Sequence, residues 1–422
     1  MSLFNLYQPF ERSFAERYGD IADDFPFAMM VIEKELRNYH AGAKRLAIGN
    51  LAKQASINPG KAFLLKLATL FGPAEGPSYY TKLPGFGDIE ANLRQQFAER
   101  GLVSFSHQKI LRYQRNKQLH GLTVSGRWFP RFARSVVTRG FDAAIADRSL
   151  LTNLNTQIAR NVERVKQYIK HNNIRLFVSD GDCMFFQRVI LRAANELGIP
   201  YVVVSHGFVT DPRLVTIAPL YADMFVAWTE DQRRGLCEAI GPKSAVKVHH
   251  FGFPKPPLLQ GSGISGRVLL VWHPFIESHG INIREFDTAT TIIKRLAAAG
   301  LDPVLRLHPK DRSDAALANA LKDEGVVTDH SSISVALGRA EVVLGSLSSL
   351  LIEAASVGKP VFQLSNYPSI PDLPRIDGND DRLAETIRLA CGTTPQHYPS
   401  FDSQEFFDGL LHLMNEKLPL SE

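Results

Sequence analysis

From about residue 150 onward, the chain alternates short apolar runs with amphipathic stretches. NTQIARNVERVKQYIKHNN repeats its apolar positions every three or four residues, the period of a helix lying on a core. IRLFVSDGD follows as a buried strand with a polar end. QRVILRAANELG then reads as a helix stopped at Gly198, and PYVVVSHG as the next strand. ADMFVAW is a further buried strand. The helix after it opens at Thr229-Glu230-Asp231-Gln232, where Thr229 and Gln232 have capping-box spacing. That helix ends near Gly241, and VKVHHFGFPK returns as a strand. Strands apolar on both sides, alternating with helices, predict βαβ units and a parallel sheet covered on both faces.

PKPPLLQGSGISG, rich in proline and glycine, interrupts this rhythm and marks a domain boundary. Beyond it a second rhythm starts. RVLLVWHP, VLRLHPK, VVTDH, EVVLGS and PVFQLS read as five strands, separated by the helices REFDTATTIIKRLAAAG (stopped by Gly300), DAALANALKDEG, SISVALGRA and SSLLIEAASVG. Such spacing predicts a small doubly wound domain. SQEFFDGLLHLMNEKL is an amphipathic terminal helix whose apolar face suits a return to the first domain. The expected division is 1–255, 256–398 and a terminal helix in 399–422. The first 150 residues are less regular. AMMVIEKELRNYH and ANLRQQFAER have helical spacing, whereas RLAIGNLA and GKAFLLKLATLFG suit strand or helix equally.

Length and composition agree with this picture. A chain of 422 residues, 45% hydrophobic and 22% charged, is an ordinary globular sequence of two or three domains. Cys183, Cys237 and Cys391 are far apart and form no C-x-x-C, so neither a zinc cluster nor a disulfide framework is expected. MSLFNLYQPFERSF brings charges too early for a signal peptide, and no run approaches the ~20 apolar residues of a spanning helix. A cytoplasmic location is expected. The net charge of +5 is modest, and the basic residues are not interleaved with aromatics as in a nucleic-acid module, so no nucleic-acid partner is expected. The stretch from Lys109 to Arg139 carries Arg112, Arg115, Arg127, Arg131, Arg134 and Arg139. It reads as a solvated face or as contact with an anionic inner-membrane surface, where lipid-linked acceptors sit.

In open parallel sheets ligands bind beyond the carboxyl ends of the strands, so polar residues there are the informative ones. The ends here are Ser179-Asp180-Gly181-Asp182, Ser205-His206-Gly207, His273-Pro274, His308-Pro309-Lys310 and Gly345-Ser346-Leu347-Ser348-Ser349. The last leads straight into a helix. The amides of a helix start, with Ser346, Ser348 and Ser349 hydroxyls, suit a phosphate; the plainer alternative is a serine that only caps the helix. Glu353, one turn in, is placed to accept from ribose hydroxyls, or is ordinary helix acid. His308 and Lys310 can each donate to a phosphate oxygen, with Pro309 fixing the turn that aims them. His273-Pro274 repeats the pattern on a second strand.

LRLHPKD (305–311), GSLSSLLIEAASVGKPV (345–361), VVVSHG (202–207) and VHHFGFPK (248–255), in that spacing, resemble GT-B glycosyltransferases that build bacterial surface polysaccharides. Capsule-type Kdo transferases, bacterial sialyl- and polysialyltransferases and CDP-glycerol polymerases are the nearest in pattern. The likeness spans about residues 174–365. It implies an α/β protein of two Rossmann-like domains facing a cleft, acting on a CMP-linked donor such as CMP-Kdo and a glycan or lipid-linked glycan acceptor. It further implies that His308, Pro309, Ser348 and Ser349 contact the nucleotide phosphate, that Glu353 binds the ribose, and that His206 and Gly207 face the cleft. The acidic pair that supplies the base in sialyltransferases is matched only by Ser179-Asp180-Gly181, which departs from it by one serine.

Such an enzyme needs no metal or other cofactor where helix dipole, lysine and histidine neutralise the leaving phosphate. It does need a carboxylate, to deprotonate the acceptor or attack the anomeric carbon. Asp231 and Asp180 rank first, ahead of Asp182 and Glu277; Asp231 also reads as simple helix-start charge. Asp180-Gly181-Asp182 resembles a GT-A metal clamp as well, but that fold lacks a second domain of this kind. The open alternatives are a UDP-sugar transferase, a sugar-nucleotide epimerase using His206, Asp231 and Glu277, a CDP-glycerol-type polymerase, and a non-catalytic nucleotide- or glycan-binding module.

Overall fold

A computed structural model describes residues 76–83, 86–104, 139, 147–181, 185–205, 222–240, 246–254, 259, 263–272, 276–277, 280–308, 311–312, 314–346, 348–366, 370, 373–391 and 400–417. The fold class is the expected one, α/β with two doubly wound parallel sheets in tandem. Its first part comprises β1 (Ser78–Lys82), α1 (Gly87–Ala98), β2 (Val103–Ser104), α2 (Arg148–His171), β3 (Ile174–Ser179), α3 (Phe185–Glu196), β4 (Tyr201–Val204), β5 (Met224–Ala227), α4 (Glu230–Ile240) and β6 (Lys247–His250). The strands lie in the order β2-β1-β3-β4-β5-β6, all parallel. The helical reading of ANLRQQFAER holds as α1, while β1 and β2 have no counterpart in the sequence reading. The remaining segments of the first 75 residues that were read from the sequence lie outside the described residues.

The second part runs β7 (Arg267–Val271), a hairpin of β8 (Ile276–Glu277) and β9 (Gly280–Ile281), α5 (Ile283–Ala298), β10 (Asp302–Arg306), α6 (Ala315–Asp323), β11 (Thr328–Asp329), α7 (Ile333–Arg339), β12 (Val342–Gly345), α8 (Ser349–Ser356), β13 (Val361–Leu364), β14 (Arg375–Ile376), α9 (Leu383–Ala390) and α10 (Ser403–Lys417). Its main sheet is ordered β11-β10-β7-β12-β13-β14. Counting that sheet's strands along the chain, the order is 3-2-1-4-5-6, the Rossmann winding, with its switch point between β7 and β12. All five strands read from the sequence are present. The edge strand β14, the helix α9 and the hairpin were not anticipated; β14 and the hairpin strands are only two residues long each, too short to show a period.

Alternation along these strands builds two cores. Leu269, Val271 and Val343 pack with Leu337 of α7 and Leu351 of α8. Val268, Leu270, Leu305 and Leu344 pack with Ile292, Leu296, Leu317 and Ile387 on the other face. In the first sheet, Leu176, Val178, Val202, Val204 and Val226 share a core with Phe97 of α1 and Phe406, Phe407 and Leu410 of α10. The terminal helix therefore packs on the first sheet although it follows the second. Phe407 lies 4.8 Å from Phe97, and Lys247 bonds Glu416 at 2.7 Å. Burial of Phe406, Phe407, Leu410 and Leu413 stabilises this docking by roughly 1.5–3 kcal/mol per side chain. The chain leading to α10 crosses Gly252, where a Cβ would stand 2.1 Å from the Ser400 carbonyl oxygen. Only glycine permits that crossing.

Candidate functional site

In the second sheet the register sets three strand ends side by side. Arg306 pairs with Val271 across β10 and β7, and Val271 pairs with Gly345 across β7 and β12. The chain thus leaves three adjoining strands at one edge, around the switch point, and His308, Ser346, Ser348 and Ser349 are the described motif residues that follow. Gly345 is fixed by contact, since a Cβ there would lie 2.5 Å from the Val271 carbonyl oxygen and 3.0 Å from Leu351. Ser346 is fully buried, its amide donating to the Val271 carbonyl at 3.2 Å. Its own carbonyl accepts from Gln363 Nε2 at 3.2 Å, and Gln363 Oε1 accepts from the Ile370 amide at 2.7 Å. The turn into α8 is therefore held from both sides.

Ser348 caps α8: its hydroxyl oxygen accepts from the Leu350 amide at 3.2 Å. That use leaves the hydroxyl proton to donate, so capping and phosphate contact are compatible. Ser349 opens the helix and is half-buried. Glu353, by contrast, is only 3% exposed, and its charge acts on Arg306. Leu305 and Leu307 both face the α5–α6 core, so Arg306 between them faces α7 and α8. Its guanidinium donates to Asp329 at 2.8 Å and to the Ser331 carbonyl at 3.0 Å. Burial lowers the Arg306 pKa, with the Arg312 charge adding to it, while Asp329 and Glu353 oppose both. His308 is half-buried, and its carbonyl accepts from the Asp311 amide at 2.9 Å. Pro309, Lys310 and His273 lie outside the described residues.

At the first sheet, Asp180 follows β3 and accepts from Gln187 Nε2 at 3.2 Å. Asp231 stands in the first turn of α4 after β5, paired with Arg234. With β4 between them, the two carboxylates leave strands about 10 Å apart. His206 and Asp182 lie outside the described residues, as does the side chain of Glu277. Of the arginine-rich stretch only Arg139 is described, exposed and bonded to Asp147 at 2.8 Å.

The capping box is present in modified form. Thr229 Oγ1 accepts from the Gln232 amide at 3.1 Å, and the Gln232 side chain reaches past the cap to the Trp228 amide. Trp228 is fully buried, donates from Nε1 to the Ser205 carbonyl at 2.7 Å, and stands edge-on to Phe253. Glu230 is bonded by Arg233, whose guanidinium holds that carboxyl below its usual range. His250, at the end of β6, is half-buried, and burial pushes its pKa down. The sequence reading gave Gln232 its capping role and gave none to Arg306 or His250. Arg306 had a legible signal, a lone charge inside the buried run VLRLH. His250 had none beyond its place at a strand end.

Among the described residues, no group of three or more His, Cys, Asp or Glu is arranged to hold a metal ion, and no helix is long and apolar enough to cross a membrane.

The sequence matches no protein-family model and no curated protein. Solved structures of similar fold include the Methanocaldococcus jannaschii UDP-GlcNAc 2-epimerase in complex with UDP-GlcNAc and UDP (12% identity, 81% of this chain and 99% of that one, TM-score 0.45). The Neisseria meningitidis UDP-GlcNAc 2-epimerase bound to UDP-GlcNAc matches over 79% and 99% of the two chains, with 12% identity and TM-score 0.45. A Rickettsia africae glycosyltransferase matches over 82% and 95%, with 9% identity and TM-score 0.42. At these values no substrate and no residue role carries over from them.

Proposed function

We propose that this chain is a glycosyltransferase that moves a sugar from a nucleotide-linked donor, Kdo or another ulosonic acid from its CMP ester, onto a glycan or lipid-linked glycan. The observation that supports it is the shared register of Arg306, Val271 and Gly345, which sets the His308 and Ser346–Ser349 segments at one sheet edge around a switch point. A leaving phosphate there would meet the start of α8, the Ser348 and Ser349 hydroxyls and the His308 imidazole, with Lys310 following in sequence. These groups neutralise developing charge as an electrostatic cradle does. Asp231 is the proposed carboxylate for the acceptor or anomeric centre, with Asp180 second and His206, which lies between them in sequence, as a further catalytic candidate. In this reading the enzyme works at the cytoplasmic face of the inner membrane, its basic surface near anionic lipid.

Thermal-shift measurement against CMP, CDP, UDP and GDP tests the donor. Stabilisation by CMP above the others supports the proposal. A response to UDP alone supports a UDP-sugar transferase or an epimerase, and a response to none removes the nucleotide reading. His308→Ala should weaken CMP binding about tenfold and Ser349→Ala about fivefold, the loss of one charged and one neutral hydrogen bond. Asp231→Asn should leave CMP binding unchanged and lower transfer by roughly 10²–10⁴. Full activity in Asp231→Asn would dismiss that carboxylate.

A further inference from the structure

Gln363 of β13 is fully buried, and both ends of its side-chain amide are engaged by backbone. Nε2 donates to the Ser346 carbonyl at 3.2 Å, and Oε1 accepts from the Ile370 amide at 2.7 Å. A carbonyl only accepts and a backbone N–H only donates, so the side-chain amide fits in one orientation alone. β13 lies beside β12 with Gln363 opposite Gly345, which puts the bridge next to the residue that starts the turn. Ile370 is itself buried in the core shared with α7 and α8, so the far end of the bridge is anchored among packed side chains.

The pairing of β12 with both of its neighbours ends at Gly345. Beyond it, Ser346 is held by its amide on the Val271 carbonyl and by its own carbonyl on Gln363, at 3.2 Å each. A peptide unit is planar, so fixing that carbonyl also fixes the plane in which the chain enters the turn. Two residues on, Ser348 caps α8 through the Leu350 amide, and Ser349 opens the helix. The first turn of α8 is therefore set in part by a side chain on another strand, closed to solvent.

We propose that Gln363 is a positioning residue of the phosphate turn: by holding the Ser346 carbonyl it aims the Ser348 and Ser349 hydroxyls and the start of α8, and so sets the strength of nucleotide binding. The hold follows from the two hydrogen bonds; its effect on a nucleotide rests on the donor reading of this turn. Exchanging the amide for a carboxyl separates the two ends of the bridge. Protonated, a carboxyl donates and accepts as the amide does. Ionised, it still accepts from Ile370 but has nothing to donate to Ser346. Burial raises the pKa of such a carboxyl above its ordinary value of about 4.3, which brings the change into a workable range.

Calorimetric titration of the full chain with CMP, from about pH 5 to about pH 9, tests it. The ionisable side chains of the surrounding elements, among them Arg306 of β10, Glu353 of α8, Arg375 of β14 and the His308 ring, are the same in variant and unaltered chain. Each point is therefore read as the ratio of the two Kd values. For Gln363→Glu that ratio should be near one at the acid end and rise about tenfold as the carboxyl ionises. Gln363→Met, which loses both bonds and cannot titrate, should bind about tenfold more weakly throughout. A flat ratio in folded Gln363→Glu, or CMP binding within about twofold of the unaltered chain in Gln363→Met, would overturn the proposal; should Gln363→Glu not fold at the alkaline end, Gln363→Met decides. Amide hydrogen exchange needs no nucleotide. The Ser346 amide should exchange faster in the ionised variant while that of Ile370 stays protected, and both should quicken in Gln363→Met. Unchanged exchange at Ser346 would overturn the hold itself. If the unaltered chain binds none of CMP, CDP, UDP and GDP yet Ser346 quickens, the hold stands and the donor reading falls.

Discussion

At the carboxyl edge of the second sheet, the polar groups around the turn are committed to the protein itself. The Ser346 carbonyl is taken by Gln363, the Ser348 hydroxyl oxygen by the Leu350 amide, and the Arg306 guanidinium by Asp329 and Ser331. At the corresponding edge of the first sheet, Gln232 and His250 each keep a buried atom unmatched. Native proteins leave few buried polar groups in that condition, because each costs roughly 1–3 kcal/mol. The two edges therefore suit different tasks. A rigid, internally satisfied turn can bind a phosphate through dipoles and protons already in place. At the other edge, two side-chain atoms of α4 and β6 stand outside any such closed set of bonds.

Breaking the rigid edge should produce the largest effect. Arg306 and Asp329 form an ion pair whose side chains are only 5% and 11% exposed. Removing one partner strands a buried charge, which costs about 3–5 kcal/mol. Asp329→Ala should therefore lower unfolding free energy in urea by that amount. Arg306→Met combined with Asp329→Ala should cost less than Asp329→Ala alone, because the buried guanidinium no longer stands without its ion-pair partner, although Glu353 then loses the cation it faces. A double variant as unstable as the sum of the single ones would show that the pair does not act as a unit.

A smaller effect is expected at Gly345. The 2.5 Å approach to the Val271 carbonyl leaves no room for a methyl group, so Gly345→Ala must shift β12 against β7. Overpacking of this kind costs about 1–3 kcal/mol. The same shift moves the start of α8, so the variant should also lose CMP stabilisation out of proportion to its fall in melting temperature. Loss of stability with an unaltered CMP response would separate the turn from nucleotide binding.

The two edges also differ in how much of them is visible in the sequence. The second announces itself through residue type: Gly-Ser-Leu-Ser-Ser before an apolar helix, and His-Pro at a strand end. Periodicity gave its strands because those at the centre are mostly apolar on both faces and each run is bounded by a glycine or proline. The first sheet was legible only from β3 onward. β1, SYYTK, alternates aromatic and polar residues weakly and pairs with β3 across almost a hundred intervening residues, a relation that no local pattern encodes. Gln232 was readable as a helix-capping residue and is one. That its amide reaches instead to Trp228, leaving a donor free, depends on tertiary packing around Trp228. Glu353 shows the reverse error of emphasis: its place in the helix was legible, whereas its burial beside Arg306 required the fold.

The smallest expected effect is on pH dependence, and it bears on the open edge alone. Burial depresses the pKa of both His249 and His250 from 6.5. Between the folded values and 6.5, the unfolded chain holds more protons than the folded one, so stability must fall as pH drops below about 6.5. Glu230 gives a separate signal: Arg233 depresses it from 4.5, so its contribution is lost only in more acid solution. The Glu230 window lies below about 4.5, so urea titrations between pH 7 and 5 report on the histidines. His250→Phe should flatten that slope in part, with His249 supplying the remainder, while Glu230→Gln should leave it unchanged. A slope equally steep in His250→Phe would mean that the ring is as well solvated folded as unfolded. The contrast between a satisfied edge and an open one would then lose one of its two members.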